Sequence, residues 1–314
     1  MSARSARRFV TGDGTGLFVR SSGPEEAPVT LVLLHAWTQD HTEWDPVVPL
    51  VPAGLRVLRY DHRGHGASDP ARPGTATVAR LADDLAELVT ELAPAGRLVL
   101  AGHSLGGMTV MALAERYPEL VSGRVAGVAF IATSCAGMDR LTFGLTGVAG
   151  RVAAGADQAF RRLLARDGRR SVPFPSVVVR PVTRWLAFGD GAARAQVRAV
   201  TGQILRAHPG SVAGFRASIS RHDRRAALAA LRGTPTVILA GDRDRITPSA
   251  HARVIARELP DAEFVRYPGA GHELPYERAR EVAHRLTGLA APAGPVRGDG
   301  AGNRRRFHAR PGSP

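Results

Sequence analysis

Short apolar runs dense in branched side chains recur five times along this chain, at residues 29–34 (VTLVLL), 55–60 (LRVLRY), 97–101 (RLVLA), 125–131 (VAGVAFI) and 235–240 (PTVILA). Runs of that length without polar alternation suit strands covered on both faces, the habit of parallel sheets. Between the second and third runs, VARLADDLAELVTEL spaces Val78, Leu81, Leu85, Leu88 and Leu92 three or four residues apart, so a helix with one buried stripe is predicted there. A second helical stretch, MTVMALAERY, follows the third run and stops near Pro118. Strands alternating with helices predict the α/β class: a mostly parallel central sheet covered by helices on both faces.

The alternation fails once. About 100 residues separate Ala132 from Gly233, far more than the ~2–6 residues of an ordinary connection plus a crossover helix. The expected organisation is therefore a core in two parts, residues 9–132 and 234–290, interrupted by an insertion at 133–233. The final stretch, 291–314, is rich in Gly, Pro, Ala and Arg without periodicity and is expected to be a disordered tail.

Composition closes off several classes. No apolar run approaches the ~20 residues of a membrane span, so an integral membrane protein is excluded. Cys135 is the only cysteine, which excludes an intrachain disulfide and cysteine-clustered metal sites. The N-terminus, MSARSARRFVTGDGTG, has arginines with no apolar stretch behind them, so the expected location is cytoplasmic. All 42 basic residues are arginine, against 28 acids, giving a formal net charge of +14. Residues 133–233 alone hold 17 arginines and five acids. Were Arg161, Arg162, Arg169, Arg170, Arg180 and Arg184 to face an entrance, they would attract anionic substrates or an anionic lipid surface. Nucleic acid is not an expected partner, because no binding module is present and the arginines are not interleaved with aromatics.

The sharpest chemical signal is AGHSLGG at 101–107, a Gly-x-Ser-x-Gly pattern placed between a predicted strand and a predicted helix. Ser104 on such a turn has an exposed hydroxyl at a helix N-terminus, and Gly102 and Gly106 remove side chains that would collide. A serine needs a base to take its proton and an acid to orient that base. AGDRDRITP offers Asp242 and Asp244 just after a strand, and PGAGHELP offers His272 in a glycine-flanked loop after the strand-like EFVRY. The Leu105 N–H, first in the helix, suits a developing oxyanion.

These motifs and their order resemble the α/β-hydrolase fold family, in its group with a single-chain core and a helical cap. The resemblance spans roughly residues 9–290 and includes LLHAWTQD at 33–40 and YDHRGHGASD at 60–69. It implies a triad of Ser104, Asp244 and His272, with Asp244 chosen over Asp242 by a Gly-x-x-Asp-x-x-x-Pro pattern through Gly241 and Pro248. Of the histidines after Asp244, His251 and His284 fall in helical stretches and His308 in the tail. It also implies that Trp37 N–H joins Leu105 N–H in the oxyanion hole, although Ala36 stands where the family has glycine. His62 and His65 match a structural turn, and His103 is expected to point away from the site.

The implied reaction is hydrolysis of a carboxylic ester or related bond through an acyl-enzyme, with no cofactor and no metal. The apolar insertion favours an acyl, alkyl or aromatic ester as the small-molecule substrate, and Met108, Trp37 and Cys135 are candidate pocket residues. Alternatives are a cofactor-free haloperoxidase or perhydrolase, disfavoured by Thr38 in place of a proline, a carbon–carbon bond hydrolase, and a non-catalytic small-molecule binder.

Overall fold

The computed structural model describes residues 5–139 and 174–291, with isolated positions at 147, 148, 150–152, 155 and 159 between them. Its centre is an eight-stranded sheet in the order β1-β2-β4-β3-β5-β6-β7-β8. The strands are β1 Ser5–Val10, β2 Gly16–Ser22, β3 Val29–Leu34, β4 Arg56–Tyr60, β5 Arg97–His103, β6 Val125–Ile131, β7 Thr236–Gly241 and β8 Glu263–Tyr267. From β4 to β8 every pairing is parallel, whereas β1–β2 and β2–β4 are antiparallel.

The five apolar runs are β3 to β7, and EFVRY is β8. Along β3, Val32 and Leu34 enter one core layer while Leu31 and Leu33 enter the other, and β5 divides Leu98 and Leu100 from Val99 and Ala101 in the same way. Period-two alternation with apolar residues on both faces is why these strands read as continuous runs. Each such leucine, fully buried, contributes about 1.5–3 kcal/mol.

Helices α1 Val78–Leu92, α2 Leu105–Arg116 and α3 Pro118–Arg124 lie in the first part of the chain. Thr77 caps α1 by accepting the Arg80 N–H, and Val78, Leu81, Leu85, Leu88 and Leu92 are buried in the stripe expected. Between β6 and β7 the described residues form α4 Ser176–Ala187, α5 Arg194–Arg206 and α6 Pro209–Ile219. After β7 come α7 Ser249–Glu258, α8 Leu274–Glu277 and α9 Ala279–Ala290. No helix among the described residues is long and apolar enough to cross a membrane.

The β1–β2 hairpin is not foreseen by the sequence, and it begins at Ser5, ahead of the boundary expected at residue 9. Only Phe9 of β1 is buried, so this edge strand shows no apolar run; its arginines are what an exposed edge tolerates. The expected tail at 291–314 lies outside the described residues beyond position 291.

Candidate active site

Ser104 sits between β5 and α2 with φ at +51°, a left-handed value that costs a residue with a side chain. The backbone on either side of the turn is tightly packed. A Cβ on Gly102 would stand 2.4 Å from the Gly106 carbonyl carbon, and one on Gly106 would stand 2.3 Å from the Leu34 oxygen. The turn is pinned by Ser104 N–H to the Ile131 carbonyl at 2.9 Å and by the Thr133 hydroxyl to the Ser104 carbonyl at 2.6 Å. The serine hydroxyl does not cap α2.

His272 and Asp244 meet as the motif order requires. His272 Nδ1 lies 2.9 Å from Asp244 Oδ2, and Asp244 Oδ1 accepts the Ile246 and Thr247 N–H groups at 2.8 Å each. A carboxylate can only accept, so Nδ1 carries the proton and Nε2 is left as the basic nitrogen. Burial pushes Asp244 toward the neutral form, but its electrostatic attraction to His272, the hydrogen bond from that ring and those from Thr247 win and hold the carboxyl below its usual range. Asp242 serves elsewhere, its Oδ1 accepting the Gly269 N–H at 2.8 Å and so bracing the loop that leads to His272. That loop is also clamped by the end of α4, since the Ala187 carbonyl accepts His272 N–H at 2.7 Å. Gly189 and Gly271 cross so closely that a Cβ on Gly271 would stand 2.5 Å from the Gly189 nitrogen.

Ser104 and His272 border one cavity of about 380 Å³, walled by Trp37 and by residues of α4 and α5 such as Val179, Leu186, Val200 and Ile204. No hydrogen bond joins the serine hydroxyl to the His272 ring among the described residues, an arrangement that tightens in many enzymes only with substrate bound. The backbone N–H groups of Trp37 and Leu105 meet no protein acceptor among the described residues. Ala36 does not take a left-handed φ; the positive value, +68°, falls on Thr38, where proline's fixed φ could not be accommodated.

Several expected lining residues lie elsewhere. Trp37 lines the cavity, with its indole N–H on the Val212 carbonyl at 3.1 Å. Met108 and Cys135 are not lining residues but are buried in the core layer beside α1 and α2. Burial pushes the Cys135 thiol up to about 11. Arg184 donates to the Phe188 and Asp190 carbonyls, and neither it nor exposed Arg180 lines the cavity. Arg161, Arg162, Arg169 and Arg170 lie outside the described residues.

His62 packs tilted against His35 and His65 meets His35 edge-on in a buried cluster. Burial, with the neighbouring rings, holds His62 down at about 3 and His65 at about 4, so they pack as neutral imidazoles. Asp40, His41 and Asp61 stand close enough to share a cation. Each already has protein partners: Arg206 on Asp40 at 2.6 Å, and His41 Nδ1 and N–H on Asp61 at 2.8 and 2.6 Å.

Three buried polar residues near the site, Gln39, Glu43 and Glu273, are missed by the sequence reading, as are the partners of His103. His103 does point away from the cavity, and its Nδ1 meets Glu43 while its Nε2 lies 2.9 Å from the His272 carbonyl. Gln39 Nε2 donates to both oxygens of Glu273, at 2.8 and 3.0 Å. Glu43 sits in a 3-10 turn, His41–Trp44, and nothing local in WTQDHTEWDP marks it as buried.

A model of the alpha/beta hydrolase fold matches residues 29–279. This chain belongs to the alpha/beta hydrolase fold family. Within it, the chain is 30% identical over 251 residues to a pimeloyl-[acyl-carrier protein] methyl ester esterase of Aromatoleum aromaticum, covering 77% of this chain and 90% of the relative. Among solved alpha/beta hydrolase structures, a hydrolase from Pseudomonas aeruginosa superposes with a TM-score of 0.71 at 26% identity, covering 91% of this chain and 98% of that one. A thermophilic esterase from Thermogutta terrifontis gives 0.69 at 25% identity, covering 93% and 100%.

Proposed function

We propose that this alpha/beta hydrolase is a serine esterase that cleaves carboxylic esters with an apolar acyl, alkyl or aryl part through an acyl-enzyme. The observation that carries this reading is a cavity bordered both by Ser104 and by a His272 whose Nδ1 is held on Asp244. Ser104 Oγ attacks the ester carbonyl as His272 Nε2 takes its proton. Trp37 and Leu105 N–H groups receive the oxyanion, each donor worth roughly 2.7–4 kcal/mol. His272 then protonates the departing alkoxide, and a water activated by the same nitrogen releases the acid. Asp244 keeps the ring in the productive tautomer and stabilises its cation. Helices α4 to α6 act as the cap, and their apolar side chains choose the substrate.

The esterase relatives support an ester over other bonds, and an almost wholly apolar wall supports an uncharged substrate body. The test is covalent labelling by a fluorophosphonate together with hydrolysis of p-nitrophenyl esters of increasing chain length. Labelling and turnover should both vanish in Ser104→Ala; a folded wild-type protein that takes no label and hydrolyses no ester would sink the reading.

A further inference from the structure

Three loops supply the proposed chemistry, and one buried pair touches all of them. Glu43 Oε2 accepts the Ala36 N–H at 2.8 Å, one residue before the Trp37 donor. Glu43 Oε1 meets Nδ1 of His103, one residue before Ser104. His103 Nε2 reaches the carbonyl of His272 itself at 2.9 Å, and the two rings lie 4.8 Å apart. Both side chains of the pair are wholly buried, so these contacts are not exchanged with water. We propose that Glu43 and His103 are positioning residues, a buried ion pair that holds the oxyanion loop, the nucleophile turn and the base loop in register. This rests on the roles proposed above for Ser104 and His272.

The contacts fit a charged pair. With Glu43 ionised, its carboxylate and the His272 carbonyl are both acceptors, so each ring nitrogen of His103 donates, and only the imidazolium has two N–H groups; a protonated Glu43 would instead donate to Nδ1 of a neutral ring, and the ring titration below separates the two. The groups facing His103 agree: Glu43 from the 3-10 turn, and Glu273 and the His272 carbonyl from the loop after β8. Burial alone would lower His103, yet the Glu43 charge and hydrogen bond, helped by Glu273, push it up to about 9. Glu273 itself is pushed up to about 7 by burial, against the pull of His103 and His272. When His103 loses its proton, one of its two donors disappears, and a loop one residue from the reacting atoms comes loose.

The discriminating variant is Glu43→Gln. Its amide oxygen can still accept the Ala36 N–H, and its amide N–H can donate to Nδ1 of a neutral His103 that keeps Nε2–H on the His272 carbonyl. Shape and tethers survive while the charge goes. In the wild type, kcat for p-nitrophenyl butyrate should fall on an alkaline limb near pH 9, coincident with the His103 ring titration followed by NMR. In Glu43→Gln that limb should vanish and the ring should titrate lower. In His103→Leu, kcat should drop about 100-fold, as expected for misplaced reacting groups, with KM nearly unchanged. A limb that stays put in Glu43→Gln, a His103 ring titrating near an ordinary ~6.5, or a loss confined to KM would overturn the proposal. Should His103→Leu not fold, Glu43→Gln carries the test alone. Should wild type show no esterase activity or labelling, the proposed function fails separately, and the NMR arm decides the pair. A ring titration near 9, lost in Glu43→Gln together with amide shifts at Trp37, Ser104 and His272, supports the register; unmoved amides refute it.

Discussion

Asp244 gives its two oxygens different partners: Oδ1 takes two backbone N–H groups, while Oδ2 takes the His272 ring and the Thr247 hydroxyl. Asp244→Asn must therefore keep its oxygen on the backbone donors and turn its amide nitrogen toward His272. Nδ1 would then have to accept, and the ring proton would move to Nε2, where it blocks the base. On the proposed mechanism kcat should fall by about 10⁴-fold, the effect known for such a tautomer switch, while the melting temperature stays within a few degrees; a kcat within tenfold of wild type would show that Asp244 only braces its loop. Ser104 and His272 are marked locally by flanking glycines, whereas the strand end offers Asp242 and Asp244 alike and only the family pattern through Gly241 and Pro248 chooses between them. Glu43 and His103 were not legible as a pair, since their pairing joins positions 60 residues apart and no local pattern encodes it.

Among the elements, α4 and α5 turn the fold into a container. Val179 and Leu186 of α4 and Val200 and Ile204 of α5 face the cavity, and the α4 end also holds His272 through the Ala187 carbonyl. A larger side chain at buried Val200 must intrude on the cavity or on the apolar cluster it shares with Ala187, Phe188 and Tyr276 rather than on solvent. Val200→Phe is expected to cut kcat/KM for octanoate esters by roughly 10–200-fold, the range one methylene commands in a hydrophobic pocket, while acetate esters are little affected. Equal losses for both chain lengths would mean that this wall does not contact the acyl chain. The sequence announced α1 and the parallel strands because their buried faces repeat with a helical or strand period. It did not announce the β1–β2 hairpin, whose edge position leaves Phe9 as the single buried residue of β1. Nor could it show which apolar pieces of the insertion would meet the cavity, since that follows from packing between helices.

Across the whole molecule, the buried histidines set opposite pH limits on stability. His35, His62, His65 and His222 are held neutral by burial, His62 and His222 at about 3 and His65 at about 4. The unfolded chain takes up protons at these rings near ~6.5, where the folded one does not, so stability must fall as pH drops below that value. Glu273 works the other way: its proton, held in the folded state to about 7, stabilises at low pH, and that contribution fades as pH rises from about 4.5 to about 7. One carboxyl offsets at most one of the four rings, so the acid side still declines. His103 governs the decline from neutrality to pH 9, above which the buried Cys135 thiol, raised to about 11, adds its own loss. Raised to about 9, the His103 ring adds stability in full below ~6.5 that is lost as pH climbs through 9. The melting temperature should therefore peak near neutrality and decline toward both pH 4 and pH 9, and calorimetry on Glu43→Gln should flatten only the alkaline slope. If that variant instead lowered the curve evenly at every pH, the pair would contribute packing without charge, and the alkaline decline would need another titrating group.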